Sequence, residues 1–242
     1  MSADFYLGLA EVADPDGLTA DLEQLRATLL ADPYFRDVPS IQPEAGKTAL
    51  YFHAKDDVPE VRREVFRLLL AHDIRFLAEV TSMARVLGYV QQRNRFDASY
   101  RYHPNELYDH MTRRLLKTKL HKEDSYRVVF ARRGSSSRAQ ALTGAIEATR
   151  SRFCAEHGIE SPVEIEVVSA TPSLHGGLQA VDYFLWSVQR LFERREDRYL
   201  AYIWPKVSLV HDIDDTREKP YGVYYTRQKP PTAVSIEGRL RI

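Results

Sequence analysis

Apolar residues recur along this chain in blocks whose spacing switches between the two-residue period of strands and the three-to-four-residue period of helices. Phe5 to Val12 predicts a strand, ended by the turn chemistry of Asp14-Pro15-Asp16-Gly17. Leu18, Leu22, Leu25 and Leu29 then mark an amphipathic helix. Asp32 to Lys47 reads as a loop with three prolines, and Ala49-Leu50-Tyr51-Phe52 as a short buried strand ending at His53. Pro59 suits a first helical position, with Val61, Val65, Leu68 and Leu69 on the buried face that follows. Ile74 to Val80 predicts a strand, Gln91 to His103 a polar connection, and Pro104 the start of a helix striped by Leu107, Met111 and Leu115. Further on come a strand at Tyr126 to Ala131, a helix carrying Leu142, Ile146 and Phe153, and a strand at Val163 to Val168. After Gly176-Gly177 a long helix carries Leu178, Val181, Leu185, Val188 and Phe192.

Strands that alternate with helices argue for an α/β domain with a partly parallel sheet over residues 1–200. The pattern weakens after Tyr199, where strands at Val207 to Val210 and Tyr221 to Tyr225 flank an acidic turn. Residues 201–242 therefore read as a C-terminal extension packed on the same domain.

Composition adds exclusions. The 242 residues carry 34 Lys+Arg against 34 Asp+Glu, so no whole-chain field holds a polyanion and any nucleic-acid contact must come from local basic patches. The single cysteine, Cys154, rules out a disulfide framework within the chain and fits a reducing, cytoplasmic setting. No apolar run reaches membrane-spanning length, and Met1 to Leu9 lacks the basic-then-apolar pattern of a secretory signal. Phosphate-binding glycine loops, paired cysteines and nucleophile elbows are all missing from the text.

Four clusters carry candidate chemistry. His53-Ala54-Lys55-Asp56-Asp57 places an imidazole, an ammonium and two carboxylates together, suited to a metal or a phosphate; the alternative is that Asp56 or Asp57 only caps the next helix. Asp182 stands between Val181 and Tyr183 on an apolar helix, where a carboxylate needs compensation from a metal or from a core arginine. Arg132-Arg133-Gly134-Ser135-Ser136-Ser137-Arg138, at a strand-to-helix junction, offers hydroxyls, backbone N–H groups and guanidinium forks to phosphate, and Arg113 to Lys122 adds a basic stretch. Asp212, Asp214 and Asp215 make an acidic turn that either holds a hard cation or is simply solvated. Trp186, Trp204 and the tyrosines from Tyr199 to Tyr225 suit core or subunit packing better than base stacking.

Several of these segments together resemble the bacterial and phage family called domain of unknown function 3800, of the ribonuclease H-like clan. The resemblance rests on Ala31-Asp32-Pro33-Tyr34-Phe35, Phe52 to Asp57 with Pro59-Glu60-Val61-Arg62, Arg133-Gly134-Ser135 with Arg138, and above all Leu178-Gln179-Ala180-Val181-Asp182-Tyr183-Phe184-Leu185-Trp186. It implies a ribonuclease H-like mixed sheet flanked by helices, in which carboxylates hold divalent Mg or Mn for phosphodiester hydrolysis. Under it Asp182 is the last-helix ligand, His53 and Asp56 stand with it as catalytic residues, and Asp56, Asp57 or Glu11 completes the metal set. Lys55, Arg132, Arg133, Ser135, Arg138 and Gln179 would meet the substrate. The family's usual opening strand, with its Asp-Glu-Ser-Gly-like segment, has no counterpart, because Phe5-Tyr6-Leu7-Gly8 matches the second strand. Two expectations follow: a metal-dependent nuclease with an incomplete site, or an inactive nucleic-acid-binding or assembly subunit of the same fold. Partners would be nucleic acid, further copies of the chain or another protein.

Overall fold

A computed structural model describes residues 2–45, 50–117, 119, 125–132, 138–158 and 164–239, with side chains at 138–141 left aside. The chain is a mixed α/β protein. Its main sheet has the order β1-β2-β5-β6, from β1 (Asp4–Val12), β2 (Ile74–Ser82), β5 (Val207–Asp212) and β6 (Val223–Thr226). β1 and β2 are antiparallel, β2 and β5 parallel, β5 and β6 antiparallel. A second sheet pairs β3 (Ser125–Ala131) with β4 (Glu164–Ala170) in parallel. The helices are α1 (Pro15–Ala31), α2 (Pro59–Ala71), α3 (Met83–Phe96), α4 (Pro104–Leu116), α5 (Arg138–His157), α6 (Gly176–Arg194) and α7 (Arg198–Ile203).

Local chemistry accounts for most boundaries. Asp14 accepts the Gly17 N–H at 2.9 Å and Pro15 follows it, so α1 starts where its first N–H groups are already satisfied. His103 and Glu106 close a capping box at α4, with Nδ1 of His103 accepting the Asn105 N–H at 3.2 Å and Glu106 accepting the His103 N–H at 3.0 Å. α6 ends on Arg195, whose φ of 60° turns the chain out of the helix. At the start of α6 a Cβ on Gly176 would stand 2.9 Å from Cα of Thr19, so only glycine lets α6 cross α1 this closely.

The larger core joins α1, α2, α6 and the main sheet through Leu18, Leu22, Val61, Val65, Phe76, Tyr183, Phe184 and Val210. A smaller one, with Leu116, Leu142 and Ile146 at its centre, binds α4 and α5 to the β3–β4 sheet and takes in Leu9 of β1.

Three expectations are corrected. Leu50, Tyr51 and Phe52 join no strand: Phe52 alone is buried, and its N–H goes to a side chain rather than to a ladder. The polar connection expected over Gln91 to His103 holds only from 97 to 103: its first part, to Phe96, belongs to α3, which buries no residue and so lacks the apolar stripe that announces a helix. Residues beyond 200 are no appendage, for β5 lies inside the main sheet against β2 and brings β6 with it.

Candidate functional site

The site forms where the connection between α1 and α2 folds onto α6. Three successive N–H groups of that connection are taken by side chains: Phe52 donates to Gln179 Oε1 at 3.1 Å, His53 to Asp57 Oδ2 at 2.9 Å, and Ala54 to Asp182 Oδ2 at 2.8 Å. Gln179 and Asp182 lie one turn apart on α6, so both point the same way. From α2, Arg62 donates to the Ala54 carbonyl at 2.9 Å and also to that of Asp57, while its guanidinium stacks 4.6 Å above the Trp186 ring.

This clamp sets the position of His53. Its Nδ1 lies 3.2 Å from Asp56 Oδ2 and its Nε2 3.9 Å from Asp182 Oδ1. Burial raises the Asp182 carboxyl above its own ordinary value, opposed by His53 and the Ala54 N–H. Tyr51 stands edge-on to the His53 ring, and burial, then Asp182 and Asp56, raise its hydroxyl pKa. Tyr51 entered the sequence reading only as part of a short strand and Arg62 only within the family resemblance, and neither was expected at the site.

Asp182, His53 and Asp56 are thus brought together, as expected. The other proposed ligands are not. Asp57 is buried and accepts hydrogen bonds from His53 N–H and the Tyr183 hydroxyl, so it fixes the turn. Glu11 pairs with Lys119 at 2.7 Å. Gln179, expected to touch substrate, is buried and uses its amide nitrogen on the Pro172 carbonyl at 2.8 Å, which leaves it a structural clamp.

The donor set does not fit a divalent ion. Asp56 and Asp182 approach opposite nitrogens of one imidazole, so their oxygens diverge around the ring instead of converging on a point. Among the described residues no group of three or more His, Cys, Asp or Glu side chains is placed to hold a metal. What the arrangement does is set one imidazole between two carboxylates and present that group at the rim of a cleft.

That cleft, of about 1150 Å³, lies between the two sheets and is lined by β1, β3, the first half of α6, Tyr51 and His53. Lys55 and Arg132 are exposed. Arg133 and Ser135 lie outside the described residues, and Arg138 is described only as the first residue of α5. Of the basic stretch from Arg113 to Lys122, Arg114 pairs with Glu79 at 2.7 Å, Lys117 with Glu156 at 3.0 Å and Lys119 with Glu11, while His121 and Lys122 lie outside the described residues.

The acidic turn is neither a cation site nor a solvated loop. Asp212 and Asp215 are buried and meet Arg239 and Arg217, and Asp214 accepts the Ser82 N–H at 2.6 Å. Beside it sequence reasoning missed a buried polar group, in which Arg114 donates to Glu79 and approaches His211 Nδ1 at 3.3 Å. His211 stacks on Tyr224 at 3.9 Å, and its Nε2 lies 2.9 Å from the Tyr221 carbonyl. Glu79 interrupts an apolar strand much as Asp182 interrupts an apolar helix, and that signal could have found it. No helix among the described residues is long and apolar enough to cross a membrane. Comparison with family models, with curated proteins and with solved structures finds no match to this chain.

Proposed function

We propose that this chain is a ribonuclease H-like nucleic-acid-binding protein whose carboxylate site has lost two-metal geometry, so that it engages nucleic acid and cleaves it weakly or not at all. One observation carries the reading: Asp182, the carboxylate of the α6 segment on which the family resemblance mainly rests, stands 3.9 Å from His53 and faces the cleft, yet its companion Asp56 lies on the far side of the imidazole. Two-metal hydrolysis needs carboxylates converging on ions about 3.5–4 Å apart, and this set does not converge. Backbone contact falls to Lys55, Arg132 and the Arg133 to Arg138 segment, since Arg114, Lys117 and Lys119 of the neighbouring basic stretch are each paired with a carboxylate.

The test is a binding and cleavage assay of the purified chain on single- and double-stranded DNA and RNA with Mg²⁺ or Mn²⁺, beside Asp182→Asn. Salt-sensitive binding with little cleavage is the expected result. Robust metal-dependent cleavage abolished by Asp182→Asn, or no binding to any nucleic acid, overturns the reading.

A further inference from the structure

α3 is anchored at both ends and bare along its length. Ser82 caps it by accepting the Ala84 N–H at 3.2 Å, and Arg85 in its first turn reaches Asp214 at 3.8 Å. At the other end Arg93 stacks 4.9 Å from the centre of the Tyr100 ring. The Tyr100 hydroxyl donates to Glu106 at 2.7 Å, and Glu106 belongs to the capping box of α4. Between these anchors the helix buries no residue. Helices in folded proteins are normally held by a buried face, so a fixed helix without one presents its side chains to something outside.

Those side chains have a pattern. Leu87, Tyr89 and Phe96 are 57%, 51% and 84% exposed. Arg85, Tyr89, Gln92 and Phe96 recur at helical spacing and fall on one exposed face, opposite the half-buried Met83, Val86 and Val90. Two aromatic rings thus stand two turns apart, roughly 10 Å along the axis, with a side-chain amide between them.

The charge is one-sided. Met83 to Phe96 contains Arg85, Arg93 and Arg95 and no carboxylate, in a chain whose formal net charge is zero. Asp97, the next residue, accepts from the Ser99 N–H at 2.9 Å and from its hydroxyl at 2.6 Å. Arg93 and Arg95 are exposed.

These features decide between occupants. A second copy of α3 would set arginines against arginines with no acid on either helix. A partner helix or a lipid surface needs an unbroken apolar strip, and Arg85 and Gln92 break the exposed face. A polyanion with flat apolar faces meets both the charge and the rings. Only a single strand offers those faces, since a duplex keeps its bases stacked. The distance between the rings matches about three nucleotides at roughly 3.4 Å each.

We propose that α3 is a platform for single-stranded nucleic acid, on which Tyr89 and Phe96 stack against bases and Arg93 and Arg95 meet phosphates. The inference rests on the nucleic-acid reading and gives it a second surface, because no residue of α3 is among those lining the cleft.

Fluorescence anisotropy tests it, with labelled mixed-sequence single strands of DNA and of RNA and the corresponding duplexes, on the intact chain. Tyr89→Ala and Phe96→Ala should each weaken single-strand binding about tenfold and leave duplex binding unchanged. Tyr89→Phe keeps a ring and should bind as the native chain does. Arg93→Gln with Arg95→Gln should reduce the slope of log K against log salt by about 0.7 for each arginine. Single-strand binding by the native chain that neither the alanine nor the glutamine variants alter overturns the platform and leaves the nucleic-acid reading standing. No binding by the native chain overturns both. An equal loss on duplexes overturns the stacking. Self-association, or binding to phosphatidylserine vesicles, that is lost in Phe96→Ala while single-strand binding is kept assigns the face to a second copy or a membrane and overturns the platform.

Discussion

Asp57 and Tyr183 lie 126 positions apart and share a hydrogen bond in the core, the phenol hydroxyl donating to the carboxylate. The same carboxylate oxygen accepts the His53 N–H, so one buried acid joins the turn that bears His53 to the helix that bears Asp182. Asp57→Ala is expected to destabilise the chain by about 1–3 kcal/mol, because the fully buried Tyr183 hydroxyl loses its partner. Denaturant unfolding measures this. A change within about 0.5 kcal/mol, the range of ordinary surface substitutions, would mean that the bond does not hold the turn.

Arg239 is the second long-range clamp, reaching Asp4 Oδ2 at 2.8 Å and Asp212 Oδ1 at 3.1 Å. Replacing it with Met leaves Asp212, fully buried, with an uncompensated charge, and breaking a buried pair from one side costs about 3–5 kcal/mol. Calorimetric unfolding of Arg239→Met should therefore show a large fall in melting temperature. The double variant Arg239→Met with Asp212→Asn should recover part of it, and failure to recover would place the effect elsewhere.

The Asp182 carboxyl is raised from its ordinary value of 3.8, first by burial, so the folded state holds this proton more tightly than the unfolded chain does. That contribution is complete below 3.8 and fades as pH rises through the elevated value. Asp182→Asn removes the titration and keeps an acceptor for the Ala54 N–H. The native chain should accordingly lose stability relative to Asp182→Asn as pH climbs from 3.8, and a difference that stays flat with pH would contradict the burial argument.

Contact with a phosphate backbone by Lys55, Arg132 and Arg133 predicts a uniform effect across sequences. Each substitution by Ala that removes a phosphate contact should reduce the slope of log K against log salt by about 0.7–0.9. An unchanged slope in the triple variant would locate the contact on another surface.

Much of the architecture was written in local pattern. Asp14-Pro15, Pro59 and Pro104 mark helix starts because a capping side chain or a missing N–H solves a problem that lies within one turn. The isolated carboxylate of Asp182 announced itself for the same reason, as a charge inside a run of apolar neighbours, and the structure sets it beside His53. Pairing was not legible. Asp56, Asp57 and Gln179 look alike as polar residues near a site, yet one reaches the imidazole, one is sealed under Tyr183 and one is spent on Phe52 and Pro172. The acidic turn reads as solvated until Arg217 and Arg239 arrive from later in the chain. Sequence spacing determines which residues share a face of one helix or strand. Which charge meets which, which strand lies inside the sheet and which helix face stays exposed depend on contacts between distant segments, and only the tertiary structure decided those.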